Sequence, residues 1–385
     1  MRRIKSLFSR RGEYFDYTLL IVVIFLIVFG LIMIYSTSSY VSSRANSDSG
    51  YYLKHQLLAV VVGFFAASVI SLIDYHFWSY FSFAGTVVAV VLIGLVVTPL
   101  GMELNGARRW LKVGPLSFQP AEFAKIATIV LCAVLLNRLT SKSLKTLNAF
   151  IYVLFGPGVM ALMLYVITDN LSSAIIVAGI AAVMIFVADY DHKKYLVLSL
   201  AVAVIGVLLV YAATHITSGG FRLTRIRIWL DPQSDAKDKG YQTLQALYAI
   251  GSGGLFGKGL GGSMQKLGTL PEAQNDMIFS IVCEELGMVG AIAIMGLFLV
   301  LVWRCFVIAN NAPDLFGTMI VIGVMAHFAI QVILNIAVVT NSMPNTGISL
   351  PFISYGGTSE IFLMAEIGLV LNVSWQIGTQ EEAEV

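Results

Sequence analysis

Residues 18–35 read TLLIVVIFLIVFGLIMIY, a run of apolar side chains without a single charge. About 20 helical residues, rising about 1.5 Å each, cross the hydrocarbon core of a bilayer. The run is therefore long enough to span a membrane. A cleaved signal peptide fits less well, because residues 35–38 (YSTS) make a poor cleavage site. We predict an uncleaved first transmembrane helix.

The whole chain shares this apolar character. Of its 385 residues, 58% are hydrophobic and 12% are charged, and the mean hydropathy is +0.84. Soluble domains carry about 25% charged residues, so this chain has too few ionic groups to cover a surface that faces water. The composition excludes a soluble enzyme, a disordered chain and a secreted disulfide scaffold. A net charge of +2 does not indicate nucleic-acid binding.

Ten apolar runs predict an all-α polytopic membrane protein, with about ten transmembrane helices in one integral membrane domain, 1–385. The predicted spans are 18–35, 56–73, 77–98, 121–137, 149–167, 171–188, 195–213, 277–303, 316–339 and 358–376. Between helices 7 and 8 we expect a large extracytoplasmic loop, 214–275. Within this loop, 241–250 can form a short amphipathic helix.

Lys and Arg in the short loops predict the orientation of the helices. With a cytoplasmic amino terminus, eleven of these cations lie inside and five lie in the short outer loops. We therefore expect both termini in the cytoplasm, with segments 99–120 and 214–275 outside.

Asp276, Glu284, Glu285 and His327 are candidate functional residues near or within the predicted spans. Asp276 begins the eighth span, where it can cap the helix or face an external cavity. At about 100° per residue, Glu284 points within about 80° of Asp276, and Glu285 points the opposite way. We expect Glu284 to line the same cavity and Glu285 to form a structural pair. We interpret His327 as a buried histidine with hydrogen-bond partners rather than as a proton relay.

Cations cluster in and beside the first outer segment. Glu122 and Lys125 share a helix face at i, i+3 spacing. They can form an internal ion pair, or Lys125 can direct its ammonium into an external cavity that receives an anion. Arg108, Arg109 and Lys112 cluster beside Trp110. These three cations can contact lipid headgroups, or together with Trp110 they can bind a pyrophosphate and a sugar.

Residues 257–262 (GKGLGG) match the pattern G-x-G-x-x-G. The dinucleotide fingerprint requires a preceding strand and a parallel sheet, and the sequence pattern predicts neither of them here. We interpret the segment as a loop on the membrane surface, or as backbone amides that approach a phosphate.

Six stretches along the chain follow the pattern of one known family. They are 105–110 (NGARRW), 118–125 (FQPAEFAK), 240–242, 251–266, 270–287 and 345–359 (NTGISLPFISYGGTS). Together they resemble the SEDS proteins (shape, elongation, division and sporulation), which include FtsW, RodA and SpoVE. Residues 259–266 resemble the FtsW and sporulation branch more than RodA.

The resemblance implies a peptidoglycan glycosyltransferase with ten helices that polymerises lipid II at the outer face of the bacterial cytoplasmic membrane. It implies that Asp276 is the essential aspartate and that Trp110 is the motif tryptophan. A class B penicillin-binding protein is the implied transpeptidase partner, together with other divisome or elongasome proteins. Asn170 stands where the family often has an acid, so a role that depends on charge is in doubt there.

Asp276 is the candidate catalytic residue. It can act as a base, orient the attacking hydroxyl or bind a divalent cation, Mg²⁺ or Mn²⁺; no organic cofactor is expected. A helix start lowers the pKa of Asp276 unless desolvation offsets this effect. The candidate substrate-binding residues are Arg108, Arg109, Trp110, Gln119, Glu122, Lys125, Lys266 and Glu284.

Two other functions remain open. A lipid II flippase would use the intramembrane Glu122, Lys125, Glu284 and His327, but the sequence lacks the paired broken helices typical of alternating access. A non-catalytic scaffold for division proteins would tolerate exchange of its acids for amides.

Overall fold

The structure is a computed structural model that describes residues 14–46, 48–104, 107–113, 116–139, 147–188, 228–235 and 240–377. A 3₁₀ helix, Tyr75–Phe81, leads into the third α-helix. The α-helices are α1 (Tyr17–Asn46), α2 (Tyr51–Leu72), α3 (Ser82–Leu95), α4 (Pro120–Arg138), α5 (Leu147–Val166), α6 (Leu171–Ala188), α7 (Tyr241–Ser252), α8 (Ile278–Asn310), α9 (Leu315–Val339) and α10 (Thr358–Trp375).

These helices confirm the predicted fold class, a helical polytopic membrane protein. Within the described ranges, seven candidate spans are long and apolar enough to cross a membrane. Helices occur at nine of the ten predicted spans, and α7 coincides with the expected amphipathic helix. The seventh predicted span, 195–213, lies outside the described residues. So do both termini and parts of the long loop, 214–227 and 236–239.

Helices α4 and α9 form the centre of the bundle. α4 is almost entirely buried and packs against α3, α6 and α9, while α9 also packs against α8. α10 packs along α2, where a Cβ atom on Gly368 would lie 2.7 Å from the carbonyl oxygen of Ala67. Small residues permit such close approach between membrane helices.

The segment between α3 and α4 forms a small β-sheet that the all-α prediction did not include. Its antiparallel strands are β1 (Gly101–Leu104), β2 (Ala107–Val113) and β3 (Leu116–Phe118), in that order. Such short strands carry little periodic signal in a sequence. Met102 pairs with Trp110 and Glu103 pairs with Arg108, so the register shifts by one residue and a β-bulge forms in β2 at Arg109. A bulge re-aims the side chains around it.

Helix α8 is interrupted at Gly287, which has φ 67° and ψ −166°. The glycine-rich segment after α7 packs into this break. The N–H groups of 258–259 donate to the carbonyls of 284–285 at 3.0 and 2.9 Å, and those of 288–289 donate to the carbonyls of 254–255 at 3.0 and 3.1 Å. The segment thus satisfies backbone groups that an interrupted membrane helix would leave unpaired.

Candidate functional site

A polar cavity of about 350 Å³ lies where the β-sheet meets the starts of α4, α6, α8 and α10. Its size is within the usual range for small-molecule sites. Its lining residues are Arg109, Trp110, Ser117, Gln119, Glu122, Lys125, Asn170, Ser172, Ser173, Ile176, Glu272, Asn275, Asp276, Gln331, Gly347, Ile348, Ser349, Tyr355, Gly356, Gly357, Thr358 and Ser359. The cavity therefore brings together Asp276 and five of the eight predicted substrate-binding residues.

Asp276 lies on the cavity wall, just before α8. Met277 occupies the N-cap position and no side chain caps the helix, so Asp276 does not act as the expected cap. Asn335 Nδ2 donates to the backbone carbonyl of Asp276 at 2.9 Å, which ties this segment to α9. Oδ1 of Asp276 is buried and has no hydrogen-bond partner among the described residues.

The surroundings of Asp276 make its carboxyl group less acidic than usual. Burial raises the pKa of Asp276 to about 7, and the negative charge of Glu272 contributes to the rise, against the opposing backbone N–H groups of Asp276 and Met277. Desolvation thus outweighs the helix start. A carboxylate with a pKa near neutrality is suited to general base catalysis.

Lys125 supplies positive charge to the cavity. Its Nζ lies 2.9 Å from Glu122 Oε1 and 3.1 Å from Gln331 Oε1. Lys125 and Glu122 are buried, and both line the cavity. The predicted internal ion pair is therefore present, and Lys125 lies at a cavity as well.

Arg109, Trp110 and Gln119 line the cavity as well. Arg109 donates through Nη2 to the carbonyl of Asp169 at 2.8 Å and through Nε to that of Thr168 at 3.3 Å. These bonds hold the guanidinium at the turn between α5 and α6. The bulge in β2 explains how two consecutive residues, Arg109 and Trp110, both reach the cavity.

Two predicted substrate-binding residues, Arg108 and Glu284, lie elsewhere. Arg108 is exposed, with its Nε 3.5 Å from Glu103 Oε2. Glu284 is buried, with Oε1 2.7 Å from Lys258 Nζ and a short hydrogen bond from the hydroxyl of Ser263. The prediction that Glu284 lines the same cavity as Asp276 is wrong.

Lys266 also lies outside this cavity and forms an ion pair. Its Nζ is 2.8 Å from Glu285 Oε1 and 2.9 Å from Ser36 Oγ. The structural pairing predicted for Glu285 is thus confirmed. Gly261 N–H donates to Glu285 Oε2 at 3.0 Å, so this amide of the glycine-rich loop binds a carboxylate of the protein rather than the phosphate we considered.

His327 is buried and satisfied at both ring nitrogens, as predicted. Its Nδ1 lies 2.7 Å from Glu366 Oε2 and its Nε2 lies 2.8 Å from Gln331 Oε1. Gln331 lines the cavity, so the histidine is connected to it through one side chain.

Several polar lining residues were not selected from the sequence. Asn170 caps α6, since its Oδ1 accepts a hydrogen bond from the Ser173 N–H at 3.0 Å. Gln331 lies one helical turn after His327, and this spacing places the two side chains on one face of α9. The spacing is therefore a sequence signal from which the contact between them could have been predicted. The others carry no comparable signal and are Ser117, Ser172, Ser173, Glu272, Asn275, Ser349, Tyr355, Thr358 and Ser359.

The cavity offers two oxygen donors to a cation. No group of three His, Cys, Asp or Glu side chains in the described part of the chain is placed to hold a metal ion. However, Oδ1 of Asp276 and Oδ1 of Asn275 are both buried without a hydrogen-bond partner among the described residues. Mg²⁺ binds carboxylate and carbonyl oxygens and usually takes other ligands from substrate phosphates and water. These residues fit a cation that the substrate helps to hold.

Comparison with known proteins identifies relatives that match most of the chain. A profile of the family described as "Cell cycle protein" (FtsW, RodA, SpoVE) matches residues 17–378. Stage V sporulation protein E of Bacillus subtilis (strain 168) is 39% identical over 93% of this chain and 96% of its own length. A "Probable peptidoglycan glycosyltransferase FtsW" of Trichlorobacter lovleyi is 37% identical over 95% of this chain and 94% of its own.

Two solved structures share the fold. One belongs to a study of how a peptidoglycan synthase complex coordinates polymerization and crosslinking. It has a TM-score of 0.77 and 27% identity, covering 95% of this chain and 99% of that one. The other is the rod shape determining protein RodA of Thermus thermophilus, with a TM-score of 0.67 and 25% identity over 94% of this chain and 98% of its own.

Proposed function

We propose, from the premise that this chain belongs to the FtsW/RodA/SpoVE family of cell cycle proteins, that it is a peptidoglycan glycosyltransferase that polymerises lipid II. The observation that carries the proposal is one polar cavity lined by both Asp276, with its raised pKa, and the Lys125 ammonium. Sugar transfer from a lipid pyrophosphate needs a base at the attacking hydroxyl and positive charge at the leaving group.

In the proposed reaction, Asp276 accepts the proton of the GlcNAc 4-hydroxyl of one lipid-linked substrate. The hydroxyl oxygen then attacks C1 of the MurNAc of the other. The bond between C1 and the pyrophosphate oxygen breaks, undecaprenyl pyrophosphate leaves from the opposite face, and the configuration at C1 is inverted. Lys125 and Arg109 stabilise the charge that develops on the pyrophosphate, and Trp110 offers an aromatic face to a sugar.

A divalent cation, Mg²⁺ or Mn²⁺, is compatible with this chemistry. Asp276 and Asn275 would then hold the cation, with Asp276 as a ligand instead of as the base, and the bound cation would neutralise pyrophosphate charge. We expect chelation of divalent cations to lower the rate of glycan synthesis and their return to restore it. Unchanged rates in chelator would remove the metal from the mechanism.

We place the reaction at the outer face of the bacterial cytoplasmic membrane, with both termini in the cytoplasm. The distribution of Lys and Arg among the short loops supports this orientation. A class B penicillin-binding protein is the proposed partner, supplying the transpeptidase. The likeness to a chain from a peptidoglycan synthase complex supports this assignment. Other divisome or elongasome proteins and membrane lipids complete the proposed surroundings.

The test is polymerisation of lipid II by the purified protein with its transpeptidase partner. Asp276→Ala and Asp276→Asn are expected to abolish glycan synthesis while folding and partner binding persist. Asp231→Asn is the matched control, because Asp231 is an exposed acid of the same long loop. Normal glycan from a well-folded Asp276→Ala protein would overturn the assignment and favour a non-catalytic scaffold.

A lipid II flippase is the second candidate function. The observation in its favour is the row of buried polar residues Lys125, Gln331, His327 and Glu366, which connects the cavity to the bundle interior. Liposomes that contain the protein and labelled lipid II distinguish the two functions. Movement of the headgroup across the bilayer without glycan formation would favour transport.

A further inference from the structure

The Lys125 ammonium is held by two acceptors inside the bundle. Glu122 Oε1 lies 2.9 Å and Gln331 Oε1 lies 3.1 Å from Nζ. An ammonium group has three N–H donors. The described residues thus account for two of them, and the third is available to a ligand in the cavity that Lys125 lines. The direction of this third donor depends on how firmly the two acceptors are held.

Gln331 is fixed at both ends of its amide. Its Nε2 donates to the carbonyl of Ser349 at 3.0 Å. Because a carbonyl can only accept, this bond determines which end of the amide is nitrogen. Oε1 must then face both Lys125 Nζ and His327 Nε2, and it accepts from both.

The hydrogen-bond partners of His327 likewise determine where its ring carries hydrogen. Nε2 lies 2.8 Å from an oxygen that only accepts, so Nε2 carries a hydrogen. Nδ1 lies 2.7 Å from Glu366 Oε2, and one proton must lie between these two atoms. The pair is either an imidazolium with a carboxylate or an imidazole with a carboxylic acid. In both forms the ring is held between α9 and α10 and presents Nε2–H to Gln331.

Burial makes this arrangement costly. Gln331, His327 and Glu366 are all buried, and Oε1 of Glu366 has no hydrogen-bond partner among the described residues. Ionisable residues inside a membrane protein are expensive and usually mark a functional site. Here Glu366 is hydrogen-bonded to His327, and His327 is hydrogen-bonded to Gln331, which lines the cavity.

We propose that Gln331, His327 and Glu366 are positioning residues that aim the Lys125 ammonium at the anionic part of the substrate. Glu366 holds His327, His327 holds the Gln331 carbonyl, and that carbonyl holds Lys125. The inference rests on the proposed function, since it takes the cavity as the place where a lipid pyrophosphate reacts. None of the three residues needs to touch the substrate in order to act.

The test is a set of double-mutant cycles in the lipid II polymerisation assay. Gln331→Met and His327→Leu are each expected to lower the rate about 10- to 100-fold, the range for losing a hydrogen bond to a charged group. In a Lys125→Met background, the same changes are expected to lower the residual rate less than about twofold, because they act through Lys125. His327→Gln can still donate to Gln331, and it is expected to recover most of the lost rate.

Asn372→Leu is the matched control for general loss of structure. Asn372 is a buried amide on the same helix as Glu366, and it binds the backbone N–H of Tyr75 and the carbonyl of Ser71, at 2.9 and 2.6 Å. Its replacement is expected to lower activity by the same factor with and without Lys125.

The outcomes separate this inference from the proposed function. Equal losses in both Lys125 backgrounds, no recovery with His327→Gln, or full activity in His327→Leu would each overturn the positioning role. Full activity in Lys125→Met would overturn it too. If the unmodified protein with its partner makes no glycan from lipid II, the proposed function itself fails.

Discussion

Replacement of Asp276 by asparagine is expected to stabilise the folded protein at neutral and alkaline pH while it abolishes catalysis. The pKa of Asp276 is raised by burial, from the ordinary 3.8 to about 7. A raised carboxyl pKa means that ionisation is less favourable in the folded than in the unfolded protein. The cost is absent well below pH 4, grows as the pH rises, and is complete above about pH 7. The amide of asparagine does not ionise, so the Asp276→Asn protein does not incur this cost.

The magnitude follows from the two pKa values. At about 1.4 kcal/mol per pKa unit, full ionisation costs about 4 kcal/mol of folding free energy. Water reaches part of the residue through the cavity, so we expect about 2–4 kcal/mol. For a chain of this size, this corresponds to a rise of roughly 3–6 °C in the thermal midpoint at pH 8. At pH 5 the expected gain is less than half as large.

The three buried free cysteines provide the assay. Cys132, Cys283 and Cys305 become reactive when the protein unfolds, so a thiol-reactive fluorophore reports the thermal midpoint in detergent. Wild type and Asp276→Asn are compared from pH 5 to pH 8 at one heating rate. Asp231→Asn, a change at an exposed site, is expected to stay within about 1 °C of wild type throughout. An Asp276→Asn protein with the same advantage at pH 5 and pH 8, or with none, would refute the reasoning.

Two further predictions concern the neighbours of this site. Glu272→Gln removes a negative charge that raises the pKa of Asp276, so the acidic limb of the pH–rate profile should move to lower pH. An unmoved limb would show that the charge is screened. Gly287→Ala should lower the thermal midpoint by several degrees. The φ angle of Gly287 is +67°, and a Cβ atom there would clash with the backbone nitrogen of Gly257. We expect the resulting strain to be at least about 2 kcal/mol. Gly296→Ala on the same helix has no atom within 4 Å of the new Cβ and should leave the midpoint unchanged or slightly higher, and an equal loss in both proteins would contradict the strain argument.

Part of the candidate site was predictable because it depends on local spacing. Glu122 and Lys125 lie one helical turn apart, and the structure shows the predicted ion pair at 2.9 Å. Asp276 was predicted at the edge of a span, and it lies immediately before α8 on a cavity wall. In both cases a single helix and its end determine the position.

The prediction for Glu284 failed because it extended a helix beyond its start. The angle between Glu284 and Asp276 assumed a continuous helix from residue 276, but α8 begins at Ile278. Glu284 also lies just before the break at Gly287, where the glycine-rich loop surrounds it. Lys258 on that loop, 26 residues earlier in the chain, forms an ion pair with Glu284.

The amino-acid sequence is sufficient to identify a helical membrane protein, since long uncharged apolar runs can bury their backbone hydrogen bonds in a bilayer only as helices. It also singled out the aspartate and the lysine that share the cavity. The acidity of that aspartate, the pairing of charged residues away from the site, and the connection of Gln331 and His327 to Lys125 all required the folded structure. These properties depend on burial and on contacts between segments distant in sequence, which no local pattern records.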